Sequence, residues 1–144
     1  MSSAAPITGL GVSFKFEDDT YMRPLQIEVG FEVNCKTIGF VKEKDESCRF
    51  YVENLDNGRV RLKDHNLLYL RHTDRDGKFP VLARQKTPGE TCEFKLFNKN
   101  EKVLFQAADT DLWLSRYTKA GVTYLSAIKT VADKQCEFLP ELFL

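Results

Sequence analysis

The sequence has no excess of charge of either sign. Lys and Arg together number 21, and Asp and Glu also number 21, so the formal net charge is zero. A domain that binds nucleic acid or heparin through general electrostatics is usually strongly basic. The balance therefore argues against a nucleic-acid partner and leaves only a local basic patch open.

Long apolar runs are also missing. Residues 1–10, MSSAAPITGL, have neither the positive region nor the apolar run of a signal peptide. No later stretch approaches the roughly 18 apolar residues of a membrane helix, and the chain has no Asn-x-Ser/Thr site. These absences predict a cytoplasmic protein that does not insert into membranes, whose four cysteines stay as thiols.

Metal-binding and catalytic motifs are absent as well. No two cysteines form a Cys-x-x-Cys pair, so we expect no zinc site and no cofactor. His65 and His72 flank one predicted strand, yet no Gly-x-Ser-x-Gly, His-Glu-x-x-His or glycine-rich phosphate loop accompanies them. We therefore expect two loop histidines, no catalytic residue and a protein that is not an enzyme.

What the chain does contain is a repeat. The motif x-Cys-x-Phe occurs at residues 47–50, 91–94 and 135–138, and successive copies are 44 residues apart both times. Tyr69-Leu70 falls on Trp113-Leu114 at the same spacing. A fixed period of this length is typical of an architecture built from equivalent units.

Each unit predicts four short strands. In the second unit they are expected near residues 60–63, 68–72, 81–85 and 92–97, with polar connections rich in turn residues. Asp76-Gly77 is a tight-turn signal. No window keeps a helical period for three turns, and Val122 to Asp133 is interpreted as strand plus turn, because its counterpart contains Pro80, Pro88 and Gly89.

Three such units predict an all-β fold, a β-trefoil of three four-stranded lobes with pseudo-threefold symmetry. Residues 1–144 would form a single domain, with lobes at roughly 8–56, 57–100 and 101–144. One lobe of two hairpins cannot bury its apolar face alone. Three lobes share a core, close a six-stranded barrel and remove most exposed strand edges. The Cys and Phe of the repeated motif lie two residues apart, so we expect both to face this core from a strand.

Residues that break the threefold pattern are the candidates for function, because core positions must be alike in all lobes while loops are free to differ. Short carboxylates and amides beside an aromatic ring suit a sugar, whose hydroxyls take directional hydrogen bonds and whose C–H face stacks on the ring. The alternative is that Trp113 plugs one end of the barrel, as Tyr69 and Tyr21 would. The candidate carbohydrate-binding residues are Asp109, Asp111, Trp113 and Tyr117 in the third lobe and Asp64, Asn66, Tyr69 and Arg71 in the second.

The second lobe also resembles the agglutinin domain of amaranthin-type plant lectins. The matching segments are residues 57–63 (NGRVRLK), 68–71 (LYLR) and 91–97 (TCEFKLF), in this order. The resemblance covers lobes two and three and implies a β-trefoil lectin that binds galactose-type glycans in the cytoplasm and nucleus. A single domain of this kind would complete its site, or gain avidity, as a homodimer.

Other trefoil families remain as alternatives. Ricin-type lectins close each lobe with Gln-x-Trp, where this chain has Cys-x-Phe. The alternative function is protein binding, by a protease inhibitor with one exposed loop or by a fascin-like or hisactophilin-like actin binder. Fold alone does not choose among these. The sequence predicts a lectin for glycans or glycoproteins, with a protein-binding trefoil as the alternative.

Overall fold

The computed structural model describes residues 11–25, 36–73, 79–119 and 121–143. In this part of the chain the regular structure consists of twelve strands and four short 3₁₀ turns, with no α-helix and hence no helix able to cross a membrane. The strands are β1 (Val12–Lys15), β2 (Tyr21–Leu25), β3 (Lys36–Val41), β4 (Tyr51–Asn54), β5 (Arg59–Lys63), β6 (Tyr69–His72), β7 (Val81–Gln85), β8 (Phe94–Lys99), β9 (Lys102–Ala107), β10 (Trp113–Lys119), β11 (Val122–Lys129) and β12 (Leu139–Leu142).

Six strands close a barrel. β1 pairs with β12, β4 with β5, and β8 with β9, all antiparallel. The three pairs are joined in turn by Val12 opposite Phe50, Val60 opposite Phe94, and Val103 opposite Phe138. The first and last of the described strands thus lie side by side, and the ladder of these six strands has no open end.

Three hairpins cap one end of the barrel. They are β2–β3, β6–β7 and β10–β11, and they meet where β3 pairs with β7 and where Pro80 of the second hairpin bridges Ser126 of the third. Each lobe therefore contributes two barrel strands and one hairpin. The prediction of a β-trefoil with three four-stranded lobes is confirmed, and residues 122–133 form a strand followed by a turn, as expected.

The repeated motif lies at the centre of the core. The rings of Phe14, Phe105 and Phe138 meet edge to face, with centroids 5.1–5.8 Å apart. Cys48, Cys92 and Cys136 are fully buried, as is the Phe two residues after each of them. Cys35 and the Asp76-Gly77 turn lie outside the described residues.

The structure corrects one local detail of this motif. Each cysteine closes a 3₁₀ turn, at Glu46–Cys48, Glu90–Cys92 and Lys134–Cys136, rather than opening a strand. In the second lobe the strand begins at Phe94, two residues later than predicted. Burial fixes which side chains face inward, whereas the tight turn is set by backbone hydrogen bonds such as that from Cys92 N to Gly89 O (3.0 Å).

Candidate functional site

The three lobes present equivalent faces on the outside of the barrel. On each face an aromatic residue opens the second strand of the lobe and lies opposite a polar residue of the first strand. A further cross-strand pair completes the face. The aromatic pairings are Tyr21–Lys15, Tyr69–Lys63 and Trp113–Gln106, and the further pairs are Ser13–Glu141, Arg61–Glu53 and Leu104–Phe97.

In the second lobe this face is occupied by ion pairs. Arg61 Nη1 donates to Glu53 Oε1 (3.0 Å), and the Tyr69 hydroxyl donates to Glu53 Oε2 (3.2 Å). The Lys63 ammonium lies 5.5 Å from the centre of the Tyr69 ring. Burial raises the pKa of Glu53, but the hydrogen bonds from Arg61 and Tyr69 outweigh it and hold that pKa below its ordinary value. Tyr69 is therefore part of a network of ion pairs and hydrogen bonds within the protein.

In the third lobe no such network forms. The positions of Glu53 and Arg61 are taken by Phe97 and Leu104. The Trp113 ring lies 5.3 Å from the Phe97 ring at an angle of 54°, and Phe97 is 43% exposed. Trp113 itself is half-buried and lies outside the buried core. The structure thus places Trp113 on the surface, in an aromatic pair, and not as a plug of the barrel.

Polar groups border this aromatic pair. Lys95 Nζ donates to Asp111 Oδ1 (2.7 Å), and Gln106 Nε2 donates to the Asp111 carbonyl (2.8 Å). The Asp111 side chain is 68% exposed, so its carboxylate is open to donors from outside the protein. We call the surface formed by Lys95, Phe97, Gln106, Asp111 and Trp113 the Trp113 face.

Asp111 is held at the edge of the face by its turn. Its backbone adopts a left-handed conformation (φ 61°), which Asp tolerates better than most residues, and its amide donates to Ala107 O (2.9 Å). Asp19 and Leu67 have the same conformation in the corresponding turns of the other lobes. The turn is therefore common to the fold, while the exposed carboxylate beside an aromatic pair is specific to the third lobe.

The remaining third-lobe candidates lie elsewhere. Asp109 Oδ1 is 2.7 Å from His72 Nε2, and this partly buried contact joins the second and third lobes. Tyr117 packs against Tyr124, with ring centroids 5.8 Å apart. It lines a separate cleft of about 620 Å³ beside the ion pair between Arg116 and Asp18.

The second-lobe candidates are not brought together either. Asp64 is 1% exposed, and its carboxylate accepts hydrogen bonds from the backbone amides of Asn66 (3.0 Å) and Leu68 (2.9 Å), so it stabilises the turn. Asn66 is exposed on that turn. Arg71 lines a separate cavity of about 320 Å³. Of the eight candidates, only Asp111 and Trp113 share one surface.

Three residues of the Trp113 face escaped the sequence reasoning: Lys95, Phe97 and Gln106. A signal for Phe97 was present in the sequence. At the spacing of the repeat it corresponds to Glu53 and Glu141, both charged, so a phenylalanine there breaks the pattern.

Metal chemistry has no support in the part of the chain that is described, since no group of three or more His, Cys, Asp or Glu side chains converges there.

The solved structures that are similar to this chain in fold include the following two. One is the crystal structure of a designed threefold-symmetric protein, ThreeFoil, with a TM-score of 0.73 and 9% identity, covering 93% of this chain and 99% of that chain. The other is a Caenorhabditis elegans protein of unknown function, also with a TM-score of 0.73 and 9% identity, covering 97% of this chain and 99% of that chain. No family model and no curated protein matches the sequence. At this identity the likeness establishes the fold alone, and the resemblance to amaranthin-type lectins gains no support beyond it.

Proposed function

We propose that this protein is a non-catalytic, cytoplasmic lectin that binds galactose-type glycans on the Trp113 face. The observation that supports the proposal is the break in symmetry. Three equivalent faces carry an aromatic residue, and in the third an exposed aromatic partner, Phe97, replaces the charged Glu53 and Glu141 of the others. Replacing the ion pair of Arg61 and Glu53 by exposed aromatic surface has no evident benefit for the fold.

The chemistry of the face matches that of a galactose-type sugar. The C–H groups of C3, C4 and C5 of galactose lie on one side of the ring and form an apolar patch that stacks on an indole. Around the indole, the Asp111 carboxylate accepts hydrogen bonds, the Lys95 ammonium donates them, and the Gln106 amide does both. The face therefore offers both a stacking platform and directional partners for hydroxyl groups.

The Trp113 face is open and shallow, so a single site should bind weakly. We expect a dissociation constant between millimolar and tens of micromolar, which is roughly 4–6 kcal/mol. Useful avidity for a glycoprotein would come from two linked sites, since linkage raises effective affinity without new contacts. A homodimer is the simplest assembly that would supply them.

The test uses the single tryptophan of the chain. Lactose should quench or shift the tryptophan fluorescence of the wild type in a saturable way, because Trp113 is the only indole present. Phe97→Ser should weaken binding at least about tenfold, which corresponds to about 1.4 kcal/mol of lost stacking and platform rigidity. Calorimetry should show the same loss for Trp113→Ala.

Tyr69→Ala is the matched control, because Tyr69 occupies the equivalent position on the second face. It should leave lactose binding unchanged. Melting curves for all three variants should show that the fold persists, since neither Phe97 nor Trp113 belongs to the buried core. If Trp113→Ala binds lactose as well as the wild type does, the site is wrong. If the wild type is silent on a broad glycan array, the protein-binding alternative is favoured, and protease-inhibition and actin-binding assays become the next measurements.

A further inference from the structure

The three 3₁₀ turns that end at a buried cysteine differ in the residue that precedes them. In the first lobe this residue is Asp45. Its Oδ1 accepts from Ser47 N (2.9 Å), lies 3.8 Å from Cys48 Sγ, and pairs with Arg23 Nε (3.3 Å). One carboxylate thus satisfies a backbone amide, a buried thiol and a guanidinium.

The third lobe repeats this arrangement with a different cation. Asp133 Oδ1 accepts from Gln135 N (2.9 Å) and lies 3.6 Å from Cys136 Sγ, while its Oδ2 accepts from Lys129 Nζ (2.8 Å). The pKa of Asp133 is lowered, first of all by the hydrogen bond from Lys129. A carboxylate paired with a cation beside the buried cysteine is therefore a feature of two of the three lobes.

The second lobe keeps the cation but has no carboxylate. Gly89 stands where the other lobes have Asp, and its backbone has the same extended conformation (φ −126°, ψ −171°) as Asp45 (φ −130°, ψ −175°). Arg71 corresponds to Arg23, since each lies two residues after the aromatic that opens the second strand of its lobe. Gly89 supplies no acceptor for it.

The Nε atom of Arg71 is left without a hydrogen-bond partner within the described chain, although it is buried. Arg23 and Arg71 each lie close enough to the cysteine of their lobe to lower its pKa, although burial, the larger effect, raises the pKa of both Cys48 and Cys92. Buried donors in native proteins nearly always have an acceptor, so an acceptor from outside the described residues is expected for this guanidinium nitrogen.

A cavity lies beside this guanidinium. It has a volume of about 320 Å³ and is lined by Arg71, His72, Thr73, Thr91 and Thr110, with apolar side chains completing the wall. No Asp or Glu is among its described lining residues. The carboxylate of Asp109 lies against the lining residue His72, and it is engaged there, since His72 Nε2 is 2.7 Å from Asp109 Oδ1. The cavity therefore combines an unpaired cation with hydroxyl groups.

We propose that this cavity binds the carboxylate of a small organic acid, with Arg71 as its cation. The bound carboxylate would occupy in the second lobe the role that Asp45 and Asp133 have in the other two. Arginine suits this role because its planar fork of donors matches a carboxylate. The Thr110 hydroxyl, whose oxygen accepts from Leu112 N (3.3 Å), keeps its proton for the rest of the ligand. This site is independent of the Trp113 face and of the lectin proposal.

The first experiment measures the melting temperature against acetate, with acetamide and sodium chloride as matched probes. Acetate should raise the melting temperature with a saturable dependence, because a ligand that binds only the folded state stabilises it. Acetamide has the same shape without the charge, and sodium chloride has the same ionic strength. Equal responses to acetate and chloride would overturn the proposal, since they would show ionic strength alone to be at work.

Gly89→Asp provides the decisive variant. The backbone already has the conformation of Asp45, and a Cβ at position 89 meets no atom within 4 Å. The new carboxylate should pair with Arg71, raise the melting temperature by about 2–4 °C and remove the acetate response. A Gly89→Asp protein that is no more stable and still responds to acetate would contradict the proposal.

Arg71→Gln and Arg23→Gln form the matched pair that locates the site. Arg71→Gln should lose the acetate response. Arg23→Gln should keep it, because Arg23 is already paired with Asp45 and does not line the cavity. An Arg71→Gln protein that responds to acetate like the wild type would also overturn the proposal. If Arg71→Gln does not fold, the response of Gly89→Asp still decides.

Discussion

Replacing each buried cysteine by serine should cost a different amount of stability in each lobe. Cys48, Cys92 and Cys136 are all fully buried, so each replacement puts a hydroxyl into the core. The difference lies in the acceptors. Cys48 Sγ is 3.8 Å from Asp45 Oδ1 and Cys136 Sγ is 3.6 Å from Asp133 Oδ1. The corresponding residue in the second lobe is Gly89, so Cys92 has no carboxylate there and hydrogen-bonds the neutral Thr91 side chain.

The stability cost of each replacement depends on whether the new serine hydroxyl has a hydrogen-bond acceptor. A buried hydroxyl without an acceptor costs about 1–3 kcal/mol, and a hydrogen bond to a charged group offsets about as much. Cys92→Ser should therefore lower the free energy of unfolding by about 1–3 kcal/mol. Cys48→Ser and Cys136→Ser should each cost at least about 1 kcal/mol less, because the carboxylate of Asp45 or Asp133 lies next to the new hydroxyl.

Urea unfolding followed by fluorescence measures these differences, with the slope of the transition checked for constancy. Adding Gly89→Asp to Cys92→Ser should recover about 1 kcal/mol more than Gly89→Asp gives on its own, since the two changes then interact directly. Equal costs for the three single variants, or strictly additive effects in the double variant, would refute the reasoning about the carboxylates.

Two further predictions concern pH and thiol reactivity. The pKa of Glu137 is lowered, chiefly by the hydrogen bond from Lys99 (2.6 Å), and its side chain is only 12% exposed. The ionised Glu137 carboxylate therefore stabilises the fold above its unfolded pKa of about 4.3. This stabilisation is lost as pH falls through the lower pKa that Glu137 has in the folded protein. The melting temperature should thus be nearly flat from pH 7 to about 5 and fall below about pH 4, and a Glu137→Gln protein with an unchanged acid profile would contradict this assignment. Burial raises the pKa of all three described thiols, so Cys48, Cys92 and Cys136 should react with a thiol reagent only after unfolding, and rapid labelling of the native protein would show that they do not face the core.

The fold could be predicted because the positions that repeat in the sequence are the ones that are buried in the core. Cys48, Cys92 and Cys136 recur at one spacing since each lobe packs the same small side chain into one shared core. The 3₁₀ turns that hold these cysteines were missed, because backbone hydrogen bonds over three residues leave no clear mark on an alternating apolar pattern. Burial is thus easier to predict from the sequence than the local geometry that delivers it.

The site was only partly predictable for a related reason. Trp113 and Asp111 lie close in sequence, and their association was expected. Phe97 and Lys95 reach them only through the register of β8 against β9, which sequence reasoning did not supply. Asp64 shows the opposite error, because a carboxylate in a turn serves the backbone as readily as it serves a ligand, and here it accepts two backbone amides.

The first lobe supplies an internal reference for both proposals. Its aromatic residue, Tyr21, lies under the ammonium groups of Lys15 and Lys44, and its arginine, Arg23, is paired with Asp45. Neither an exposed aromatic pair nor an unpaired guanidinium occurs there among the described residues. In the second lobe the carboxylate is missing, and in the third the cross-strand pair beside the aromatic is the apolar pair of Leu104 and Phe97. Threefold symmetry would allow all lobes to be satisfied in the same way, as a shared core requires. Departures that leave a donor or an aromatic surface without an internal partner are therefore best explained by partners from outside the chain.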